Sequence, residues 1–197
     1  MKNFKEKADL IWRIADLLRG DYKQSDYGKV ILLMTVLRRL DCVLKPTKQT
    51  VLAYLPKVAS LKENARDLAL NKIAGFNFHN RSQFDFDKLI ADAENIAANL
   101  RNYINGFSSS ARDIIEYFNF DDQIDRMDDP KTDILFQVVK SFQEIELADM
   151  DSMEMGYVFE DLIRRFAEQS NETAGEHFTP REVIKLMVNL LFNEDHN

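Results

Sequence analysis

One cysteine, four prolines and six glycines are all that the 197 residues hold of these types. A lone thiol, Cys42, excludes an internal disulfide and any CxxC zinc site, and its place in an apolar-periodic run reads as buried core. The glycines, at 20, 28, 75, 106, 156 and 175, never cluster, so no GxGxxG or Walker A phosphate loop is present. His79, His177 and His196 lie far apart without metal-ligand spacing and read as surface or loop positions. Long apolar runs are also missing. Val30 to Met34 is the longest near the front, far short of the ~20 residues a membrane span needs. The opening MKNFKEKADL carries Glu6 and Asp9 and no apolar segment, so it does not read as a signal peptide, and the expected location is cytoplasmic.

Positive charge is in deficit. The formal net charge is -7 and the pI about 5.1, so the chain as a whole repels a phosphate backbone. Nucleic-acid contact would need a local basic patch or a basic partner. Arg38-Arg39 and Arg164-Arg165 are the paired arginines. Each pair sits among acidic neighbours or apolar helix positions, which favours a solvated face or local ion pairs over phosphate contacts.

What is present is helical periodicity over most of the chain, with 45% hydrophobic and 30% charged residues. The expected fold class is all-α. A first helix is predicted from about Lys5 to Arg19, with Leu10, Ile14, Leu17 and Leu18 as its stripe and Gly20 as its stop. A second, about Tyr27 to Lys45, has the broadest apolar face and is expected to be the most buried, with Pro46 ending it. Weaker helices are predicted over about Thr47–Leu55 and Val58–Ile73, separated by Pro56. Phe76, Phe78, Phe84 and Phe86 mark an aromatic loop or a short extended piece. A long helix from about Phe86 to Asn105 follows, then one capped by a serine among Ser108–Ser110. A short helix over DDQIDRM precedes another from Lys131 to Ile145. Asp151 and Glu154 have the spacing of an N-cap with an acidic third residue, so a helix is predicted to start there and to end in the polar stretch QSNETAG.

The stretch GEHFTPREVI, residues 175–184, is a second helix start. Thr179 suits the N-cap, Pro180 the first position and Glu182 the third, a capping box with proline where proline is favoured. Val183, Ile184, Met187, Leu190 and Leu191 make the stripe of the helix that follows. Two readings of the turn stand. The free N–H groups of a helix start, a hydroxyl and an aromatic wall suit a carboxylate or phosphate. Equally, Thr179 caps its own helix and Phe178 packs inward, which is what the local residues favour. Glu176-His177 as an acid/base pair is disfavoured, because adjacent loop residues rarely aim at one target.

Three stretches bear on that choice: LIWRIADLLRG with DYGKVILLMTVLRRLD, then NYINGFSSSARDIIEYF, then MGYVFEDLIRRFAEQSNETAGEHFTPREVIKLMVNLL. In this order they resemble the N-terminal part of the modification subunit of type I restriction–modification systems, which are adenine-N6 DNA methyltransferases using S-adenosylmethionine. The resemblance covers nearly all of the chain, and FEDLIRRFAE followed by AGEHFTPREVIKLMV is its most specific part. It implies a helical N-terminal domain, residues 1–148, and the lead-in helices of a Rossmann-like methyltransferase domain, residues 149–197. It implies that Glu176, His177, Phe178, Thr179, Pro180 and Arg181 lie beside the cofactor's methionine end. It also implies as partners a specificity subunit, a second modification subunit and a restriction subunit, with DNA reached through the complex, a homodimer as a further option, and no membrane. Two family motifs are absent: the glycine-rich cofactor loop and the Asn-Pro-Pro-aromatic motif, since prolines stand only at 46, 56, 130 and 180. The chain therefore reads as stopping before the catalytic sheet, with no catalytic residues or metal ligands of its own, and is expected to be inactive alone and to bind cofactor weakly or not at all. The competing expectation is a stand-alone helical adaptor. It would bury the Val183–Leu191 stripe, whereas a methyltransferase helix would leave that stripe exposed or covered by a neighbour.

Overall fold

A computed structural model describes residues 2–20, 22–129 and 131–169, together with 183–184 and 186–188. Ten α-helices can be bounded within it: α1 (Lys2–Ile14), α2 (Gln24–Leu44), α3 (Lys48–Val58), α4 (Glu63–Ala74), α5 (Phe86–Ala91), α6 (Ile96–Asn105), α7 (Ser109–Glu116), α8 (Phe120–Met127), α9 (Ile134–Gln143) and α10 (Ser152–Gln169). Short 3-10 turns extend α1 through Ala15–Leu18 and introduce α6 at Ala93–Asn95. No strand occurs among the described residues, only isolated bridges Arg19–Tyr22 and Asn80–Phe107. The fold is all-α, as expected.

The long helix α2 is the hub. Val30, Ile31, Leu33, Met34 and Leu37 are fully buried there, because an unbroken apolar run presents hydrophobic side chains on nearly every side. Helices α1, α8, α9 and α10 pack around it. Helices α3 and α4 form a hairpin against each other, and α5 bridges α6 and α9.

Several sequence expectations shift. In the first helix the buried stripe is Ala8, Ile11, Ile14, Ala15 and Leu18, while Leu10 is 38% exposed. The spacing 8, 11, 15, 18 is one helix face, and Leu10 lies off it. Pro56 does not separate two helices but sits in the last turn of α3. That late in a helix it removes only one backbone bond, so the helix runs on to Val58. The predicted helix 86–105 is interrupted at Asp92, whose carboxylate accepts from Asn95 Nδ2 at 2.9 Å and Asn99 Nδ2 at 2.8 Å. A short acidic side chain that bonds locally competes with the helix at that point. Ser108 is the N-cap residue of α7, within the serines expected, but its hydroxyl makes no cap bond. Asp67 of α4 supplies the side-chain acceptor, taking Ser109 N–H and Oγ, each at 2.9 Å. Helix α9 starts only after Asp133, which adopts φ 54°.

Expectations also hold at particular residues. Asp151 Oδ1 accepts from Glu154 N–H at 2.7 Å while Glu154 Oε2 accepts from Asp151 N–H at 3.1 Å, a reciprocal capping box opening α10. Cys42 is buried. His79 is on a loop, yet fully enclosed rather than at the surface.

Candidate functional site

The connection from α9 to α10 contains the boundary expected between residues 148 and 149. Its backbone is gripped by the paired arginines of α2. Arg38 Nε donates to Ile145 O at 2.8 Å and its Nη2 to Gln143 O at 2.7 Å. Arg39 donates to Leu147 O and, at 2.6 Å, to Met150 O. These carbonyls follow the end of a helix, where backbone acceptors lack intrahelical donors, and planar guanidinium groups supply them. The side chains of Ile145, Leu147 and Met150 turn inward and are buried. Cys42 lies against the same segment, its Sγ 3.9 Å from Ile145 O, and burial pushes its thiol up to about 11. Thus Arg38 makes a local ion pair with Asp41 at 2.9 Å, as the sequence favoured, and neither arginine is a solvated face. Together they fasten the junction.

Beyond the junction, α10 lies along α1 and α2. Met155, Val158, Leu162, Phe166 and Ala167 are its buried face. The rings of Trp12 and Phe166 are 5.0 Å apart, and those of Phe4 and Tyr157 5.3 Å. Arg165 pairs with Asp161, at 2.7 Å, and with Asp9 of α1, while its guanidinium lies 5.7 Å from the Trp12 ring centre. Arg164 joins Asp161 and Glu168 on the outer side. The second arginine pair is therefore a set of local ion pairs, as the sequence favoured.

Next to the junction an open apolar groove of about 480 Å³ is lined by Val36, Leu40 and Val43 of α2, Phe76 and Phe78 of the loop after α4, and Phe159 of α10. Phe76 and Phe78 stack with centres 5.4 Å apart, and Phe76 remains 42% exposed.

A second, more enclosed cavity of about 230 Å³ sits between α2, α3 and α6, with Asp41, Lys48, Asn80 and Tyr103 in its wall. Lys48 Nζ donates to Asn80 Oδ1 at 2.9 Å, Asn80 Nδ2 donates to Tyr103 O at 2.8 Å, and Tyr103 Oη donates to Asp41 Oδ1 at 3.2 Å. Burial raises the Asp41 carboxyl against the pull of Arg38, lowers the Lys48 ammonium to about 8, and lifts the Tyr103 phenol well above its ordinary value. Sequence reasoning missed this chain. Its members are spread from residue 41 to residue 103, and nothing local marks Lys48 or Tyr103 as interior.

The residues the resemblance implicates in cofactor contact, Glu176, His177, Phe178, Thr179, Pro180 and Arg181, lie outside the described residues. Of the helix expected to follow them, Val183, Ile184, Leu186, Met187 and Val188 are described, helical and between 43% and 58% exposed. Among the described residues no cluster of three His, Cys, Asp or Glu side chains suits a metal ion, and no helix is long and apolar enough to cross a membrane.

These features define a helical module with its last helix locked onto it and an uncovered apolar helix beyond. Residues 7–142 match the HsdM N-terminal domain family and residues 150–197 match the N-6 DNA methylase family. The first match spans more than half of the chain, so the chain belongs to the HsdM N-terminal domain family: it is the N-terminal region of a modification subunit of a type I restriction–modification system. No curated protein was found that matches it. The second match identifies DNA methyltransferase sequence, from a family that uses S-adenosylmethionine. Membership implies assembly within a type I restriction–modification complex.

Proposed function

We propose that residues 1–148 are the assembly domain of an adenine-N6 DNA methyltransferase subunit and that residues 149–197 lead into its catalytic domain. In the complete subunit the target adenine leaves the base stack and its N6 amino group takes the methyl group of S-adenosylmethionine directly. Glu176, His177, Phe178, Thr179, Pro180 and Arg181 line the methionine end of that cofactor. The helical body docks the specificity subunit, a second modification subunit and the restriction subunit, and reaches DNA through them, in the cytoplasm. Its acidic charge suits protein docking better than direct contact with phosphates. The 197-residue chain has neither a glycine-rich loop nor an Asn-Pro-Pro stretch, so by itself it does not methylate DNA and holds the cofactor weakly at most.

The observation that carries this reading is the contrast between two helical stretches. Helix α10 buries its apolar face on α1 and α2, whereas Val183, Ile184 and Met187, the described members of the stripe expected after Thr179, are 43–51% exposed. A self-sufficient adaptor has no reason to keep that stripe bare; a helix that seats against a catalytic sheet does.

The test compares the 197-residue chain with a longer one that includes a glycine-rich loop and an Asn-Pro-Pro motif, using labelled S-adenosylmethionine and DNA with the specificity subunit present. Methyl transfer to adenine N6 by the longer chain alone is the expected result. Transfer by the 197-residue chain, or DNA binding by it at physiological salt without partners, overturns the division of labour.

A further inference from the structure

Helices α4 and α7 and the loop at residues 79–81 meet around a group of buried polar atoms. Asp67 Oδ1, His79 Nε2 and Arg81 Nη1 are all enclosed and have no hydrogen-bond partner within the described residues. They face one another. Asp67 Oδ1 stands 3.7 Å from His79 Nε2 and 4.0 Å from Arg81 Nη1, too far for direct hydrogen bonds. Arg66 Nε and Ser108 Oγ, on residues adjoining this group, are enclosed and unsatisfied as well. Buried polar atoms are seldom left so, and here three face one another.

The proton on His79 can be placed from its other side. Asn71 Nδ2 donates to Asn77 O at 2.9 Å, which fixes Asn71 Oδ1 as the acceptor facing His79 Nδ1 at 2.7 Å. Nδ1 therefore carries the hydrogen. Burial holds the ring neutral, with its pKa down at about 4. Nε2 then presents a lone pair. Asp67 Oδ2 is already engaged by Ser109, so Oδ1 presents a second lone pair. Two acceptors confront each other at 3.7 Å.

We infer that a single buried water is bound between Asp67, His79 and Arg81, donating to His79 Nε2 and Asp67 Oδ1 and accepting from Arg81 Nη1. The mixture of partners selects water over ions. An anion would meet the lone pairs of Asp67 and His79, and a cation would meet the guanidinium of Arg81. Water donates twice and accepts twice, and polar enclosures with two to four partners are where buried waters are found. The bridge ties the loop that carries Phe76 and Phe78 to α4, through atoms that do not reach each other.

The test is solution NMR on the uniformly labelled chain. Long-range 15N correlations should show His79 neutral with Nδ1 protonated, and the His79 ring protons should show a long-lived water cross-peak at neutral pH. Asp67→Asn retains an oxygen for the Ser109 cap and puts an N–H donor towards Nε2. At 3.7 Å the amide does not reach Nε2 directly and can still donate to a water between them, so the variant should leave the His79 tautomer in place. A doubly protonated ring, an Nε2–H tautomer, or absence of the water cross-peak in the unaltered chain overturns the inference.

Discussion

Arg38 Nη1 donates to Asp41 Oδ2 at 2.9 Å, and both side chains are buried one turn apart on α2. The carboxylate also accepts from Tyr103, and the guanidinium spends its remaining reach on the carbonyls of Gln143 and Ile145. Every charged atom of the pair thus has a partner, the condition under which a buried ion pair is tolerated.

The first prediction removes the cation. Arg38→Met leaves Asp41 buried without its counter-charge and strips donors from the α9–α10 connection. Loss of one partner from a buried pair costs about 3–5 kcal/mol. Urea denaturation at neutral pH should show a midpoint lowered accordingly. The double variant Arg38→Met/Asp41→Asn should recover part of the loss, since no uncompensated carboxylate remains. A single variant within about 1 kcal/mol of the parent, the range of an ordinary exposed pair, would show that the clamp does not support the junction.

The second concerns glycine. Gly106 has φ −74°, open to any residue, but a Cβ there would lie 2.6 Å from Ser82 Cβ and 2.7 Å from Asn80 Oδ1 and Ser82 N. The loop crosses at that spot because Arg81 N–H donates to Gly106 O at 2.7 Å and Ser108 N–H to His79 O at 3.0 Å. Gly106→Ala should lower stability by about 1–3 kcal/mol through overpacking. Gly28 in α2 is the contrasting case. Its Cβ would meet Phe166 at 3.5 Å, ordinary contact, so Gly28→Ala should gain up to about 1 kcal/mol of helix propensity. Thermal melts of the two variants should move in opposite directions.

Those glycines show where sequence reading reaches its limit. The hub helix was legible, because its apolar periodicity is its own, and so was the Asp151–Glu154 box, because both halves lie within one turn. Cross-chain relationships were not. Asp67 capping α7, the Ser82 approach to Gly106 and the Lys48–Asn80–Tyr103–Asp41 chain join residues some 20 to 60 positions apart, and no local pattern encodes them. Leu10 misled for a related reason: either of two adjacent faces of α1 was apolar enough, and packing against α2 and α10 chose. The cofactor-side segment 176–181 was legible only as a resemblance, since its local chemistry favours a simple helix cap.

The third prediction is a pH dependence. Burial lowers His79 to about 4, with Asp67 pulling upward and Arg81, Arg66 and Lys48 pushing further down. An unfolded histidine titrates near 6.5. Because the folded value is the lower one, the stabilising contribution is complete above about pH 6.5 and is lost as pH falls towards about 4. The loss is on the order of 3 kcal/mol from this residue. Carboxylates titrate at the lower end too, so the comparison is with His79→Asn, whose amide can still donate to Asn71. Denaturation free energies of this variant should fall less steeply across the window than those of the parent.

The fourth uses Cys42. Its thiol is buried and its pKa raised to about 11, so almost no thiolate exists near pH 8 and little of it is reachable. A chromogenic disulfide reagent should leave the native chain unmodified over minutes and titrate one thiol per chain once denaturant is added. Rapid native reaction would mean that the α9–α10 connection opens readily, since the buried sulfur lies against Ile145 O at 3.9 Å.

The fifth tests the start of the helix that the N-6 DNA methylase match begins with. Asp151 satisfies Glu154 N–H and Glu154 satisfies Asp151 N–H, both at exposed positions. Asp151→Ala should cost about 0.5–2 kcal/mol, the range for an N-cap. Glu154→Ala should cost less, because it removes the return bond while leaving the primary cap in place. The double variant should cost less than the sum, since each bond holds the other partner's side chain in position. Exchange of the amide hydrogens in the first turn of α10 should accelerate in all three variants. Those of Leu162 and Phe166, anchored on α1 and α2, should stay protected in the single variants. Equal acceleration along the whole helix would mean that the cap, rather than the packed face, holds α10 to the body.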